Sequence, residues 1–151
     1  MTRRVRPAVN PNTSYSVITA KANMGGWAVT TGPSFADGVT ELEFTRDDWK
    51  IYVGFQAGTA FAAAIQYPGQ TNPASILSLG LLARYLRGNR EQMSAFRRGQ
   101  RVIVGEQAGT VQNIIPDDET KVRLVVHYDA GGVGEPYTTH VRAEETTAVQ
   151  Q

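Results

Sequence analysis

The stretch GQRVIVGEQAGTVQNIIPDDETKVRLVVHYD, residues 99–129, decides how this chain is read. Val102 and Val104 alternate with Arg101 and Ile103, while Val122, Leu124, Val126 and Tyr128 alternate with Arg123, Val125 and His127. A period of two sends successive side chains to opposite faces of a strand, so each run offers one apolar row to a core. Gly109, Val111 and Ile114 follow a turn at Gln107, and a residue without Cβ, such as Gly109, lets one strand coil closely across another. Asp129 to Gly134 reads as a glycine-rich turn, and Tyr137, Thr139 and Val141 form a last strand.

Upstream of residue 99 the period changes. Asn72 is a good N-cap and Pro73 suits the first helical position. Ile76, Leu77, Leu79, Leu81, Leu82, Tyr85 and Leu86 then recur at helical spacing, which predicts a buried helix ended by Gly88. Asn89 caps a shorter helix with Met93 and Phe96 turned inward, and Gly99 stops it. Further upstream the period is two again: Tyr15, Val17 and Thr19; Trp27, Val29 and Thr31; Leu42 and Phe44; Trp49, Ile51, Val53 and Phe55; Phe61, Ala63 and Ile65. Turns fall at Gly25-Gly26, Gly32-Pro33, Asp37-Gly38 and Pro68-Gly69. Met1 to Thr13 has no apolar periodicity and reads as an extended arm.

The segments Gly99 to Val104, Ala108 to Val111, Val122 to Asp129 and Tyr137 together resemble the SH3-like barrel superfamily, including its KOW-type members. That resemblance covers residues 99–142 and implies a small barrel with Val102, Val104, Gly109, Val111, Leu124, Val126 and Tyr128 as its fold-determining positions. The expected architecture is α+β: an antiparallel β-rich body with one buried helix plus a short helix, and a C-terminal SH3-like small barrel. Its divisions are an arm at 1–13, an antiparallel β region at 14–70, a helical segment at 71–98, the barrel at 99–143 and a polar tail at 144–151.

Composition narrows the chemistry. The 151 residues contain no cysteine, which excludes disulfides, thiolate metal sites and cysteine nucleophiles. The basic start is not followed by an apolar run, so no signal peptide is expected, and Gly58 to Ile65 is far too short for a membrane span. His127 and His140, the only histidines, make no metal-ligand pattern. Asp47-Asp48 and Asp117-Asp118 read as turn or cap residues, and Gly131-Gly132-Val133-Gly134 lacks the lysine and helix of a phosphate loop. No catalytic residue, metal site or cofactor is expected.

A formal net charge of +1 gives no global pull towards nucleic acid, yet the signs are separated. Arg3, Arg4 and Arg6 lie in the arm, and Arg84, Arg87, Arg90, Arg97, Arg98 and Arg101 crowd the helical segment. Acidic residues gather at Asp47-Asp48, Asp117 to Glu119 and Glu144-Glu145. Such a pattern suits docking, and Arg3, Arg4, Arg6, Arg84, Arg87, Arg97 and Arg98 are the candidate assembly contacts. An extended arm, a small β-rich body, a barrel and a neutral, cysteine-free chain are together similar to tailed-phage virion proteins, among them capsid decoration proteins and head–tail connector subunits. That resemblance implies a non-enzymatic, homo-oligomeric structural subunit, made in a host cytoplasm and placed in the virion, whose partners are other subunits of the same particle. Two alternatives stay open. KOW-type barrels often bind RNA, and Arg101, Lys121, Arg123 and Arg142 offer a thin basic footprint. Plasmid-borne dihydrofolate reductases build an enzyme from an oligomeric barrel, but their Gln-Ile-Tyr signature is absent.

Overall fold

A computed structural model describes residues 13–32, 38–70, 74–117, 121–129 and 138–149. Arg3, Arg4, Arg6 and the rest of residues 1–12, Pro33 and Asp37, Asn72-Pro73, Asp118 and Glu119, and residues 130–137 with Tyr137 lie outside the described residues. In chain order the elements are α1 (Tyr15–Met24), β1 (Ala28–Thr31), β2 (Val39–Arg46), β3 (Trp49–Gln56), β4 (Thr59–Gln66), β5 (Ser75–Leu77), α2 (Leu79–Arg87) and α3 (Arg90–Ala95). There follow β6 (Arg101–Val104), β7 (Gln107–Pro116), β8 (Val122–Tyr128), β9 (Thr138–Arg142), a 3-10 turn (Ala143–Glu145) and β10 (Thr146–Ala148). The fold is α+β and strand-rich, with two antiparallel five-stranded sheets of order β1-β2-β3-β4-β5 and β10-β6-β7-β8-β9.

The first sheet is the meander that the alternation predicts from Leu42 onward. Leu42 pairs with Val53, Val53 with Ala63, and Ala63 with Leu77, giving one buried row across four strands. Ala57 and Gly58, both at positive φ, supply the tight turn between β3 and β4. Upstream, the structure departs from expectation. Tyr15, Val17 and Thr19 alternate, yet they lie in helix α1, because the residues that find a core are Ile18 and Ala22, four apart. Ser14 fixes the start by accepting from the Val17 N–H at 3.3 Å.

The central helix is shorter than its stripe suggested. It begins after Ser78, whose Oγ accepts from the Leu81 N–H at 3.3 Å. Ile76 and Leu77 belong instead to β5, where Leu77 is buried and Ile76 is 95% exposed. Gly88 ends α2 and Asn89 caps α3 as expected, with Met93 and Phe96 buried, but α3 stops at Ala95 with Phe96 extended, rather than at Gly99. The chain therefore carries three helices among its described residues rather than one and a short companion.

The second sheet follows the predicted strands and then exceeds them. Val102, Gly109, Val111, Leu124, Val126 and Tyr128 are buried and Val104 is half-buried. Residues 144–148, expected as tail, finish the 3-10 turn and form β10, which pairs with β6 through Thr146↔Val104 and Ala148↔Val102. Strand β7 carries a bulge between Val111 and Asn113, which bends it.

One hydrophobic cluster joins both sheets and all three helices. Its centre is α2: Leu82, Tyr85 and Leu86 are buried, and the Tyr85 hydroxyl donates to the Ile114 carbonyl of β7 at 2.7 Å. Leu82→Ala should cost about 2–5 kcal/mol in a reversible melt, as expected for truncation in a filled core. Two glycines should respond in opposite directions. A Cβ at Gly109 would stand 2.7 Å from Val126 Cγ1 and 2.8 Å from the His127 carbonyl oxygen, so Gly109→Ala should cost about 1–3 kcal/mol. At Gly80, exposed in α2, the nearest atom is 3.9 Å away, and Gly80→Ala should stabilise by about 0.5–1 kcal/mol.

Candidate functional site

The two faces of the first sheet differ sharply. Helices α1 and α2 lie on the side of the buried row. The other side carries Tyr52, Phe61, Ala62, Ala64 and Ile76: Ala64 pairs with both Tyr52 and Ile76, and Ala62 pairs with Gly54. The irregularity between β3 and β4 leaves Phe61 as the extra residue, and its ring covers the flat spot over Gly54, where a Cβ would meet it at 3.2 Å. Phe61 is 54% exposed and Ile76 almost entirely so. This is a contiguous apolar strip across three strands, which a solvated face of an antiparallel sheet does not need.

The arginines predicted as contacts divide between separate places. Arg97 and Arg98 line an open cleft of about 910 Å³ between the β4–β5 connection and β7, together with Tyr67, Gln70, Thr110 and Gln112. The Arg98 guanidinium stacks 4.3 Å over the Tyr67 ring and donates through Nε to the Gln112 carbonyl at 3.0 Å. Arg97 pairs with Asp48 at 2.9 Å. Arg84 is exposed and Arg87 half-buried in the last turn of α2, where positive charge favours the helix terminus. Arg87 borders a different recess, with Arg46 and Arg90.

Sequence reading passed over Arg46 and the apolar strip. The signal for Arg46 was present: it continues the inward series Leu42, Phe44, Arg46 on β2. Its side chain is 3% exposed, its guanidinium lies 4.6 Å over the Trp27 ring, and Nη1 donates to the Gly25 carbonyl at 2.8 Å. Its pKa is pulled down to about 10, chiefly by burial, with Asp47 acting the other way and nearby Arg90 adding to the fall. Period two alone puts Phe61 on the core row of Ala63 and Ile65, and the structure corrects this: the bulge at Phe61 turns it to the open face, where it is exposed while Ala63 and Ile65 stay buried.

Among the described residues no group of three or more His, Asp or Glu side chains is placed to hold a metal. His127 shares a 2.9 Å hydrogen bond with Thr138, and His140 is exposed on β9. No helix among them is long and apolar enough to cross a membrane. No family model, curated protein or solved structure matches this chain.

The acidic turn between β2 and β3 is locked by arginine. Asp47 accepts two hydrogen bonds from Arg90, at 3.1 and 3.0 Å, and one from Ser94 at 3.1 Å. The bonds from Arg90 hold its carboxyl below the usual range. A carboxylate with a depressed folded pKa stabilises the fold above its unfolded value and loses that contribution as pH falls through the folded one. Wild-type and Asp47→Asn melting temperatures should therefore differ most near neutral pH and converge as pH falls through and below the lowered pKa of the folded carboxyl. A gap that stays constant across a pH series of melts would rule out the ion pair as its source.

Proposed function

We propose that this chain is a non-enzymatic structural subunit of a large assembly, of the tailed-phage virion kind, acting through protein–protein contacts as a capsid decoration or head–tail connector protein. The observation that carries the reading is the apolar strip of Tyr52, Phe61, Ala64 and Ile76 on the open face of the first sheet. Exposed apolar surface of this kind is a standing cost in water and is removed when a partner covers it. The near-neutral chain favours close packing of copies or neighbours over long-range attraction to a polyanion.

We further read the second sheet as an SH3-like barrel of the KOW type. Three features support this: the order β10-β6-β7-β8-β9, in which the last strand returns to the first past a 3-10 turn; the bulge in β7; and the close approach of β8 at Gly109. In this reading the barrel is a rigid body on which the docking sheet is mounted.

The test replaces Phe61 and Ile76 by Glu in one protein. Neither side chain is in the core, so its melting temperature should stay close to that of the wild type. The wild type should form a defined oligomer in light scattering as concentration rises, and the variant should stay monomeric. A wild type that is monomeric throughout and does not co-sediment with any particle from its source would overturn the reading. Submicromolar, steeply salt-dependent binding to RNA or DNA would replace it with the nucleic-acid alternative.

A further inference from the structure

The cleft between the β4–β5 connection and β7 contains a guanidinium that the fold holds in place. Strand β7 bulges at Gln112, which stands between Val111, paired with Val126, and Asn113, paired with Val125, and has no partner on β8. The Gln112 carbonyl is given instead to Arg98, whose Nε donates to it at 3.0 Å. Tyr67 supplies a flat floor, with the guanidinium 4.3 Å over its ring. That ring is itself set, since the Tyr67 hydroxyl lies 3.4 Å from that of Tyr85 and the Tyr67 N–H donates to Gln70 Oε1 at 3.1 Å. The backbone beside Arg98 is tied down as well: Gly99 N–H donates to the Val111 carbonyl at 2.7 Å, and Val111 N–H to the Gln100 carbonyl at 2.9 Å. An arginine side chain loses rotamer freedom when a ligand orders it, and here much of that cost is met before any ligand arrives.

A guanidinium has five N–H donors, and the Gln112 carbonyl takes one of them. Among the described residues neither Nη nitrogen of Arg98 has a hydrogen-bond acceptor or a carboxylate at ion-pair distance. None of the described residues that line the cleft is acidic, and Ser75, Thr110 and Gln112 add neutral hydrogen-bonding groups. Arg97 lines the cleft too, but it is paired with Asp48. The parallel N–H groups of a planar fork match the two oxygens of a carboxylate. The cleft measures about 910 Å³ and is open. A small acid needs enclosure to bury most of its surface, whereas an open, polar trough receives an extended chain whose amides bond to neutral side chains.

We propose that this cleft binds an acidic peptide segment of a partner protein, with the Arg98 fork taking an aspartate or glutamate carboxylate. The site rests neither on the assembly reading nor on the apolar strip. The probe is acetyl-Gly-Asp-Gly-amide, titrated at constant ionic strength with amide resonances followed by NMR, and acetyl-Gly-Asn-Gly-amide is its uncharged match. The Asp peptide should give saturable shifts at Gly69, Gly99, Thr110 and Gln112, and should bind about tenfold or more tightly than the Asn peptide. Arg98 is exposed, so Arg98→Gln should keep the melting temperature close to that of the wild type while removing the preference for Asp. Arg98→Lys keeps the charge but loses the fork and the Nε bond, and should weaken binding of the Asp peptide several-fold. If Arg98→Gln does not fold, Arg98→Lys decides, and an unchanged affinity there overturns the site. Equal binding of the two peptides, the absence of any saturable shift, or a preference for Asp that survives in Arg98→Gln overturns it equally. Acetate binding as tightly as the Asp peptide overturns the peptide assignment, and tighter binding of inorganic phosphate overturns the carboxylate.

Discussion

The hydroxyl of Tyr85 donates to the Ile114 carbonyl on the second sheet, while its ring lies 6.1 Å from that of Trp49 on the first, tilted against it. Everything else in the fold is arranged around that bridge. A phenol taken out of water must keep an acceptor, since a buried unpaired hydroxyl costs as much as the bond it lacks. Burial raises the Tyr85 pKa far above its ordinary value, so the group stays a neutral donor at any physiological pH. Helix α2 is thereby pinned between the sheets, with Leu82 and Leu86 on either side of the tyrosine along the same buried stripe. Its last turn is used again, because the Leu86 carbonyl accepts from the Trp27 indole at 2.8 Å and so ties in the start of β1. A single core can then span two sheets that share no ladder.

Much of this was legible in the sequence. Strands β2 to β4 and β6 to β8 follow from period-two rows of large residues, because a pleated strand half-buried on one face can hardly be written otherwise. The C-terminus of α2 and the N-terminus of α3 were equally plain, since Gly88 and Asn89 act locally. The failures have one physical cause, which is that propensity at a point yields to what the point packs against. Tyr15 to Thr19 alternates in type, yet only Ile18 and Ala22 reach the core, and a helix with so small a buried face leaves little periodic trace. Ile76 and Leu77 extend the helical stripe by type, yet Ser78 offers a cap at residue 78 and frees the preceding residues to pair with β4. The short β10 gave no signal of its own, because Thr146 to Ala148 is held by its ladder to β6 rather than by apolar pattern.

The site was less legible than the fold for a related reason. Counting arginines along the chain drew attention to the helical segment, where Arg97 and Arg98 do line a cleft, but charge density in sequence does not measure solvation. Most of those guanidiniums face water, where an ion pair such as Arg97 with Asp48 contributes little. Arg46 is isolated in sequence from the cluster, and its environment is what sets it apart. A strand that places Leu42, Phe44 and Arg46 on one face commits a cation to the interior, and the cost of removing it from water is met only in part by the Gly25 carbonyl and the Trp27 ring.

The apolar strip and the Arg46 recess lie on opposite faces of the same sheet, since β-strand alternation sends Arg46 to the side of Phe44 and sends Tyr52 and Ala64 to the other. What connects them is β3, whose Ile51 and Val53 face the core while Tyr52 between them faces out. A side chain in this strand cannot shift inward without moving the rows on both sides, because close-packed interiors adjust in discrete steps rather than by gradual yielding. The first sheet thus acts as a rigid partition, with α1, α2 and the charged recess on one side and a surface open to a neighbour on the other. On the proposed assembly reading, a sheet so backed keeps its outer face in shape before a partner arrives, which lowers the ordering cost of association.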